Sequence, residues 1–194
     1  MNEKIATIFA GAEGCGKTTL YYNELEKNKD FGLRINIDEI VSSFGDWKNQ
    51  EDQFRASRIA IKMRENYIEK AYDFNQETTL CGTSILSLFK KLQKNSYTIN
   101  LYYIGLDSPS TAKQRVKIRV AKGGHDIKEE LIEKRYYESL QNFNTIAKFC
   151  NHITIFDNTQ NYKKLLEFKN NKLEVFETTK WLEPLMINFK NQSL

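Results

Sequence analysis

Between Gly11 and Thr19 the chain reads Gly-Ala-Glu-Gly-Cys-Gly-Lys-Thr-Thr. That spacing, GxxxxGK[ST], belongs to a loop that cradles a phosphate chain. Glycines let consecutive backbone N–H groups turn inward on an anion. A helix starting near Lys17 aims the positive end of its dipole at the same point. Lys17 can bridge the β- and γ-phosphates, and the Thr18 hydroxyl can ligate magnesium. Gly11, Ala12, Glu13, Gly14, Cys15, Gly16, Lys17, Thr18 and Thr19 are therefore the expected residues for a nucleoside triphosphate. By average composition such a match arises by chance in a chain of this size on the order of 1% of the time. The apolar strand before it and the helix after it lower that further. Cys15 reads as a tolerated small residue.

The loop alone does not separate a hydrolase, a kinase and a switch. Asp38 follows the second strand, at the sheet edge where open α/β folds bind their ligands. A carboxylate there could take a proton from an acceptor hydroxyl, or could cap the next helix. Glu77, at the start of an expected strand Glu77 to Cys81, is costly to bury unless paired or facing the cleft. Thr78 and Thr79 beside it could equally be ordinary β-formers. Arg115 and Arg119 are four apart and share one helix face, with Lys122 three further on. That face could close over a transferring phosphoryl group. The glycine pair Gly123-Gly124 behind it fits a lid hinge. His125 reads as structural, having no ligand partner nearby in the sequence.

Alternating elements must position these groups. Ile5 to Ala10 is an apolar run typical of a parallel strand covered on both faces. A helix is expected from Gly16 to about Lys29, then a strand from Leu33 to Ile37. A long amphipathic helix spans Glu51 to Tyr72, with Ala56, Ala60, Met63, Tyr67 and Ala71 on one face. Ser84 can cap a helix that turns Leu86, Phe89 and Leu92 inward. Thr98 to Leu106 is the strongest strand signal. Ser108-Pro109 opens a helix, and Asp126 with Glu129 resembles a capping box for another. Ile132, Tyr136, Leu140, Phe143, Ala147 and Cys150 line one face of that helix, and a strand follows from Ile153 to Phe156. The expected fold is α/β, a P-loop NTPase-type three-layer sandwich with a mainly parallel sheet. Residues 1–160 form its core. Residues 161–194 form a small C-terminal hairpin and tail packed on that core, turning at Asn170-Asn171, and not a domain of their own.

Composition bounds the function. The 194 residues are 40% hydrophobic and 28% charged, enough for a sizeable core and unlike a disordered chain. Net charge is +4 from 29 cations and 25 anions spread along the chain. That does not mark a nucleic-acid footprint, and it suits a pocket for a small anion. The start, Met1-Asn2-Glu3-Lys4, carries no secretory pattern, and no apolar stretch is long enough to span a bilayer. The cysteines Cys15, Cys81 and Cys150 are sparse and odd in number, as expected of reduced thiols in a cytoplasmic protein.

Together these residues resemble the zeta-toxin-like P-loop kinases. The matching pieces are Ile8 to Gly11 with Gly16 to Leu20, then Asn36-Ile37-Asp38-Glu39-Ile40, then Glu77-Thr78-Thr79-Leu80. They continue with Arg115 and Arg119, Gly123 to Ile127, Arg135-Tyr136 with Ser139-Leu140, and Phe156-Asp157-Asn158. The likeness runs from about residue 4 to 160. It implies ATP- and magnesium-dependent phosphorylation of a small-molecule hydroxyl, and its best-known members resemble toxins that phosphorylate a UDP-N-acetylamino-sugar. Under that resemblance Lys17 and Thr18 hold the phosphates and the magnesium, and Asp38 is the base. Glu77 and Thr78 hold the acceptor, Arg115 and Arg119 clamp the γ-phosphate, and Asn158 borders the adenine. A neutralising antitoxin protein is implied as well. The chain is shorter than the larger toxins, and its stretch between the clamp arginines is compact. The residues themselves leave two other readings open: a kinase of another hydroxyl (nucleoside, antibiotic or nucleic-acid end), and a nucleotide-dependent switch with little turnover.

Overall fold

A computed structural model describes residues 3–190. Residues 1–2 and 191–194, which include the first residues of the chain and the end of the expected C-terminal tail, lie outside the described residues. The strands are β1 (Lys4–Ala10), β2 (Leu33–Ile35), β3 (Phe74–Thr78), β4 (Tyr97–Gly105), β5 (His152–Asp157), β6 (Lys163–Lys169) and β7 (Lys172–Val175). The helices are α1 (Lys17–Leu25), α2 (Ile37–Ser42), α3 (Gln50–Glu69), α4 (Ser84–Lys94), α5 (Pro109–Ala121), α6 (Glu129–Ile146) and α7 (Ile187–Lys190). One seven-stranded sheet runs β2-β3-β1-β4-β5-β6-β7. The first five strands in that order are parallel and the last two antiparallel.

Alternation in β1 divides the core into two layers. Ala6, Ile8 and Ala10 face one cluster, with Ala60 of α3 and Leu88, Phe89 and Leu92 of α4. Phe9 faces the other, with Leu20 and Tyr21 of α1, Phe31, and Ala112 and Val116 of α5. Helix α6 serves both, through Phe143 in the first and Ile132 and Tyr136 in the second. The sandwich is therefore three layers deep, and both faces of β1 are dry. That is why its sequence is a continuous apolar run.

Several boundaries differ from the sequence expectation, each for a physical reason. Strand β3 covers Phe74–Thr78, not Glu77 to Cys81. Asn75 and Gln76 mask it, being polar yet buried. Asn75 is satisfied by tertiary partners, accepting from Arg34 Nη1 at 3.1 Å and donating to the Phe31 carbonyl at 3.3 Å. Glu77 thus lies at the end of the strand and not at its start. Strand β2 stops at Ile35 because Asn36 leaves the ladder to cap α2. Helix α1 ends at Leu25, short of Lys29, and the chain turns at Asn28 with φ 60. Ala71 lies beyond the end of α3, exposed and with φ 57, so it is not on that helix's buried face. Ser84 is the first residue of α4, and Thr83 precedes it without a side-chain cap. Asp126 and Glu129 form no capping box, since Lys128 is the residue before α6 and no side chain caps it. Long-range contacts hold that loop instead.

Ser108 does cap α5, accepting from Thr111 N at 3.2 Å. The hairpin forms on Asn170 and Asn171, whose φ values of 53 and 57 are those a two-residue turn requires. Its strand β6 pairs directly with β5, so the hairpin continues the sheet. The segment beyond it is pinned by Trp181. Its indole N–H donates to Asp157 at 2.7 Å, and its ring fills the space over Gly105, where a Cβ would stand 2.1 Å away.

Candidate functional site: a phosphate loop beneath an acidic and a basic wall

The loop from Gly11 to Gly16 joins β1 to α1 at the carboxyl edge of the sheet. Its base is fixed to the neighbouring strand, since Gly11 N donates to the Thr78 carbonyl at 3.3 Å. Lys17 folds its ammonium back over the loop, donating to the carbonyls of Gly11 at 2.9 Å and Ala12 at 3.0 Å. Burial works against its charge. Cys15, Glu13, Glu77 and Asp38 outweigh that, and the Lys17 pKa rises above its ordinary value. Glu13 is nearly buried and pairs with Arg135 of α6 at 2.5 Å. Cys15 is fully buried, and that burial pushes its thiol pKa up. It is packing in the loop floor.

The far side of the loop is tied to the end of β5. Asn158 donates to the Cys15 carbonyl at 2.8 Å, and the Tyr162 hydroxyl donates to the Gly16 carbonyl. Gly16 has φ 95, and a Cβ there would lie 2.2 Å from the Tyr162 hydroxyl and 2.7 Å from Asn158 Nδ2. Gly16→Ala is therefore expected to lower stability by about 1–3 kcal/mol, read as a reduced denaturant midpoint. Calorimetry should also show weakened triphosphate binding. Nothing local in the sequence marks Tyr162, which lies 146 positions from its partner.

Thr18 and Glu77 meet. The Thr18 hydroxyl donates to Glu77 Oε2 at 2.8 Å. The other Glu77 oxygen accepts from Arg34 at 2.5 Å and Asn36 at 3.0 Å. Arg34 in turn holds Glu39 and Asn75, and its guanidinium carbon lies over the Tyr21 ring, 3.6 Å from the centroid. Glu77 is thus a fixed carboxylate beside the loop's hydroxyl. Thr78 lines the same cleft, although its hydroxyl accepts from Leu80 N at 3.0 Å.

Asp38 stands in the first turn of α2. The cap of that helix is Asn36, whose side chain accepts from Asp38 N at 2.8 Å and Glu39 N at 3.4 Å. The Asp38 carboxylate is free of the capping role, and no described residue hydrogen-bonds to it. It is solvent-accessible on one side, yet the cleft walls strip part of its hydration and raise its pKa. Lys17 and Arg119 oppose the rise, while Glu13 and Glu77 add to it.

A cleft of about 660 Å³ contains Lys17, Asp38, Glu77, Arg115, Arg119 and Arg135 together. A second hollow of about 550 Å³ adjoins it, lined by Thr19, Arg115, Ile118, Arg119, Asn158 and Tyr162. The two arginines of α5 border both. Arg115 donates to the Thr159 carbonyl at 3.2 Å, and Arg119 donates twice to the His125 carbonyl, at 3.2 and 2.8 Å. His125 is part of the cleft wall, its ring 4.5 Å from that of Trp47. Burial and then Arg119 lower its pKa. No local pattern marks Trp47 or Arg135, since each meets a residue remote in the chain.

A glycine-rich loop between the first strand of a mainly parallel sheet and the helix that follows it, inside a three-layer sandwich, is the P-loop kinase fold. The sequence model of the Zeta toxin family matches residues 2–170, and the chain belongs to that family. An uncharacterised protein of Haemophilus influenzae is 31% identical over 132 residues, which is 68% of this chain and 91% of that one. Among solved structures, a chain of the PezAT chromosomal toxin-antitoxin system of Streptococcus pneumoniae is similar with a TM-score of 0.67 at 14% identity. The match covers 99% of this chain and 86% of that one. A chain of the AvrRxo1-ORF1:-ORF2 complex is similar with a TM-score of 0.71 at 12% identity, covering 98% of this chain and 71% of that one. Among the described residues no helix is long and apolar enough to cross a membrane.

Proposed function

We propose that this chain is a kinase that moves the γ-phosphoryl group of ATP to a hydroxyl of a small molecule, with a UDP-N-acetylamino-sugar as the first acceptor to test. One observation carries the reading: the uncommitted Asp38 carboxylate shares a cleft with Lys17 and Arg119. The family membership supports it. So does the likeness to AvrRxo1-ORF1:-ORF2, which has also been solved with ATP.

In this mechanism the loop amides and Lys17 hold the β- and γ-phosphates. The acceptor hydroxyl attacks the γ-phosphorus as its bond to the bridging oxygen of ADP breaks. Asp38 takes the hydroxyl proton. Arg115 and Arg119 face the charge gathered on the transferring group, and Asn158 with Tyr162 border the adenine side. The oxygen donors beside the loop fit a hard divalent cation: Thr18 would ligate magnesium directly, and Glu77 would orient it. Bound there, it would supply charge neutralisation of the phosphates. Glu77 and Thr78 also flank the place where the acceptor must lie.

Phosphoryl transfer measured over a panel of nucleotide sugars tests this, with product mass spectrometry. Transfer to a UDP-N-acetylamino-sugar supports the acceptor assignment. Tight ATP binding with an inert sugar panel removes that acceptor and turns the search to other hydroxyls. Slow hydrolysis with a partner bound in one nucleotide state alone would make the chain a switch. The PezAT likeness motivates a growth test for cytoplasmic toxicity and for an antitoxin partner, with Lys17→Ala as control. Equal growth with both proteins would remove the toxin role.

A further inference from the structure

The cations of the cleft divide by what they already hold. Lys17 is held over the loop by the Gly11 and Ala12 carbonyls. Arg135 is paired with Glu13. Arg115 and Arg119 follow β4 and border the nucleotide hollow. Arg64 is different. It projects from α3 into the main cleft on the β3 side, half-buried, and no described carboxylate lies within ion-pair distance of it. Its one hydrogen bond is to Gln76 Oε1 at 3.5 Å, the outer limit of such a bond. A guanidinium carries five N–H donors, so most of this one faces the cleft unused.

Its neighbours on the same helix wall are not competing for a ligand in that way. Gln53 donates to the Trp47 carbonyl at 2.5 Å, and the Ser57 hydroxyl donates to the Gln53 carbonyl at 2.9 Å. Ala60, one turn before Arg64, leaves room beside it. Burial pulls the Arg64 pKa below its ordinary value, with Glu65 opposing. A cation losing water without gaining a partner is a group waiting for an anion.

Resting on the kinase reading of this cleft, we infer that Arg64 binds an anionic group of the acceptor, a carboxylate or a phosphate, through its planar fork. The acceptor is then an acid or a phosphate ester with a free hydroxyl, and neutral nucleosides and cationic amino sugars are selected against. Arg64 is a specificity residue, remote from the bond that forms.

Calorimetry tests this with the phosphate loop filled by a non-hydrolysable ATP analogue and magnesium. The probes are pairs that differ by the anion: N-acetylglucosamine 1-phosphate against N-acetylglucosamine, UDP against uridine, and glucuronate against glucose. At least one anionic member should bind about tenfold or more tighter than its neutral partner. The third pair against the first two separates carboxylate from phosphate recognition. Arg64→Gln should erase the preference and Arg64→Lys should keep part of it, with affinity for the ATP analogue unchanged in both. Equal affinity within every pair, including no measurable binding of any, overturns the inference, as does a preference that survives Arg64→Gln. No phosphoryl transfer is needed, so a chain that shows the Arg64-dependent preference but transfers nothing would sink the kinase reading alone.

Discussion

Asp38→Asn is expected to lower the turnover number about 10²- to 10⁴-fold, the range for removing a positioned general base, while ATP affinity holds. Asparagine keeps the shape and can still hydrogen-bond the acceptor, but it cannot take its proton. The case for Asp38 rests on what it does not do. Asn36 caps α2, so the carboxylate two residues on is not needed for the helix. It is left in the cleft with Lys17 and Arg119.

The pH profile gives an independent check. The base works only when ionised, so the rate falls as pH drops through its pKa. Desolvation by the cleft walls sets that pKa above the ordinary carboxylate value, so the acid limb of kcat/KM should lie higher than a fully hydrated aspartate would place it. The residual rate of Asp38→Asn should lack that limb. Stability moves the other way. An acid whose pKa is higher folded than unfolded holds its proton longer in the native state, so ionising it as pH rises opposes folding. Asp38→Asn should therefore keep or slightly raise the melting temperature at pH 7. A variant with the wild-type rate would remove the assigned base, and one that melts far lower would mean that Asp38 is structural.

The loop from Gly11 to Gly16 was legible because its conformation is written in consecutive residues. Glycines and one lysine within nine positions mark a turn between an apolar strand and a helix. The layered fold was legible for a related reason, since the apolar run of β1 and the face of α6 report burial directly. What the sequence does not show depends on which partners the fold brings to each side chain. Asn75 and Gln76 are polar yet buried in β3, and Asn75 is satisfied only when Arg34 and the Phe31 carbonyl are brought to it. Asn36 and Glu39 have the spacing of an N-cap pair, and Asn36, not the aspartate between them, caps α2. The loop before α6 is held by Arg119 on its carbonyl and Trp47 on its imidazole, which no local capping pattern encodes. Nothing local marks Arg64 on its amphipathic helix, and among the described residues the absence of a carboxylate partner sets it apart.

Arg119→Ala should be the other large loss, about 10³- to 10⁵-fold in turnover, the range for an arginine finger. In the structure its guanidinium makes two bonds to the neutral His125 carbonyl, directly beyond the pair Gly123-Gly124. A phosphoryl group offers charged oxygens, and charge-assisted bonds are about twice as strong as neutral ones. Arg119 should exchange the carbonyl for the γ-phosphate as the cleft fills, which ties closure of the His125 loop to the bound nucleotide. Arg119→Lys keeps a point charge but not the fork, and should recover part of the rate. A second readout distinguishes charge from mere support of the loop. Arg119 now pulls the Asp38 pKa down against burial. Removing it should move the acid limb of kcat/KM to higher pH, and Arg119→Lys should leave that limb nearer its wild-type place. If Arg119→Ala retains full turnover while Arg115→Ala loses it, the clamp belongs to the arginine one turn earlier, and the contact with His125 is no more than a hinge fastening.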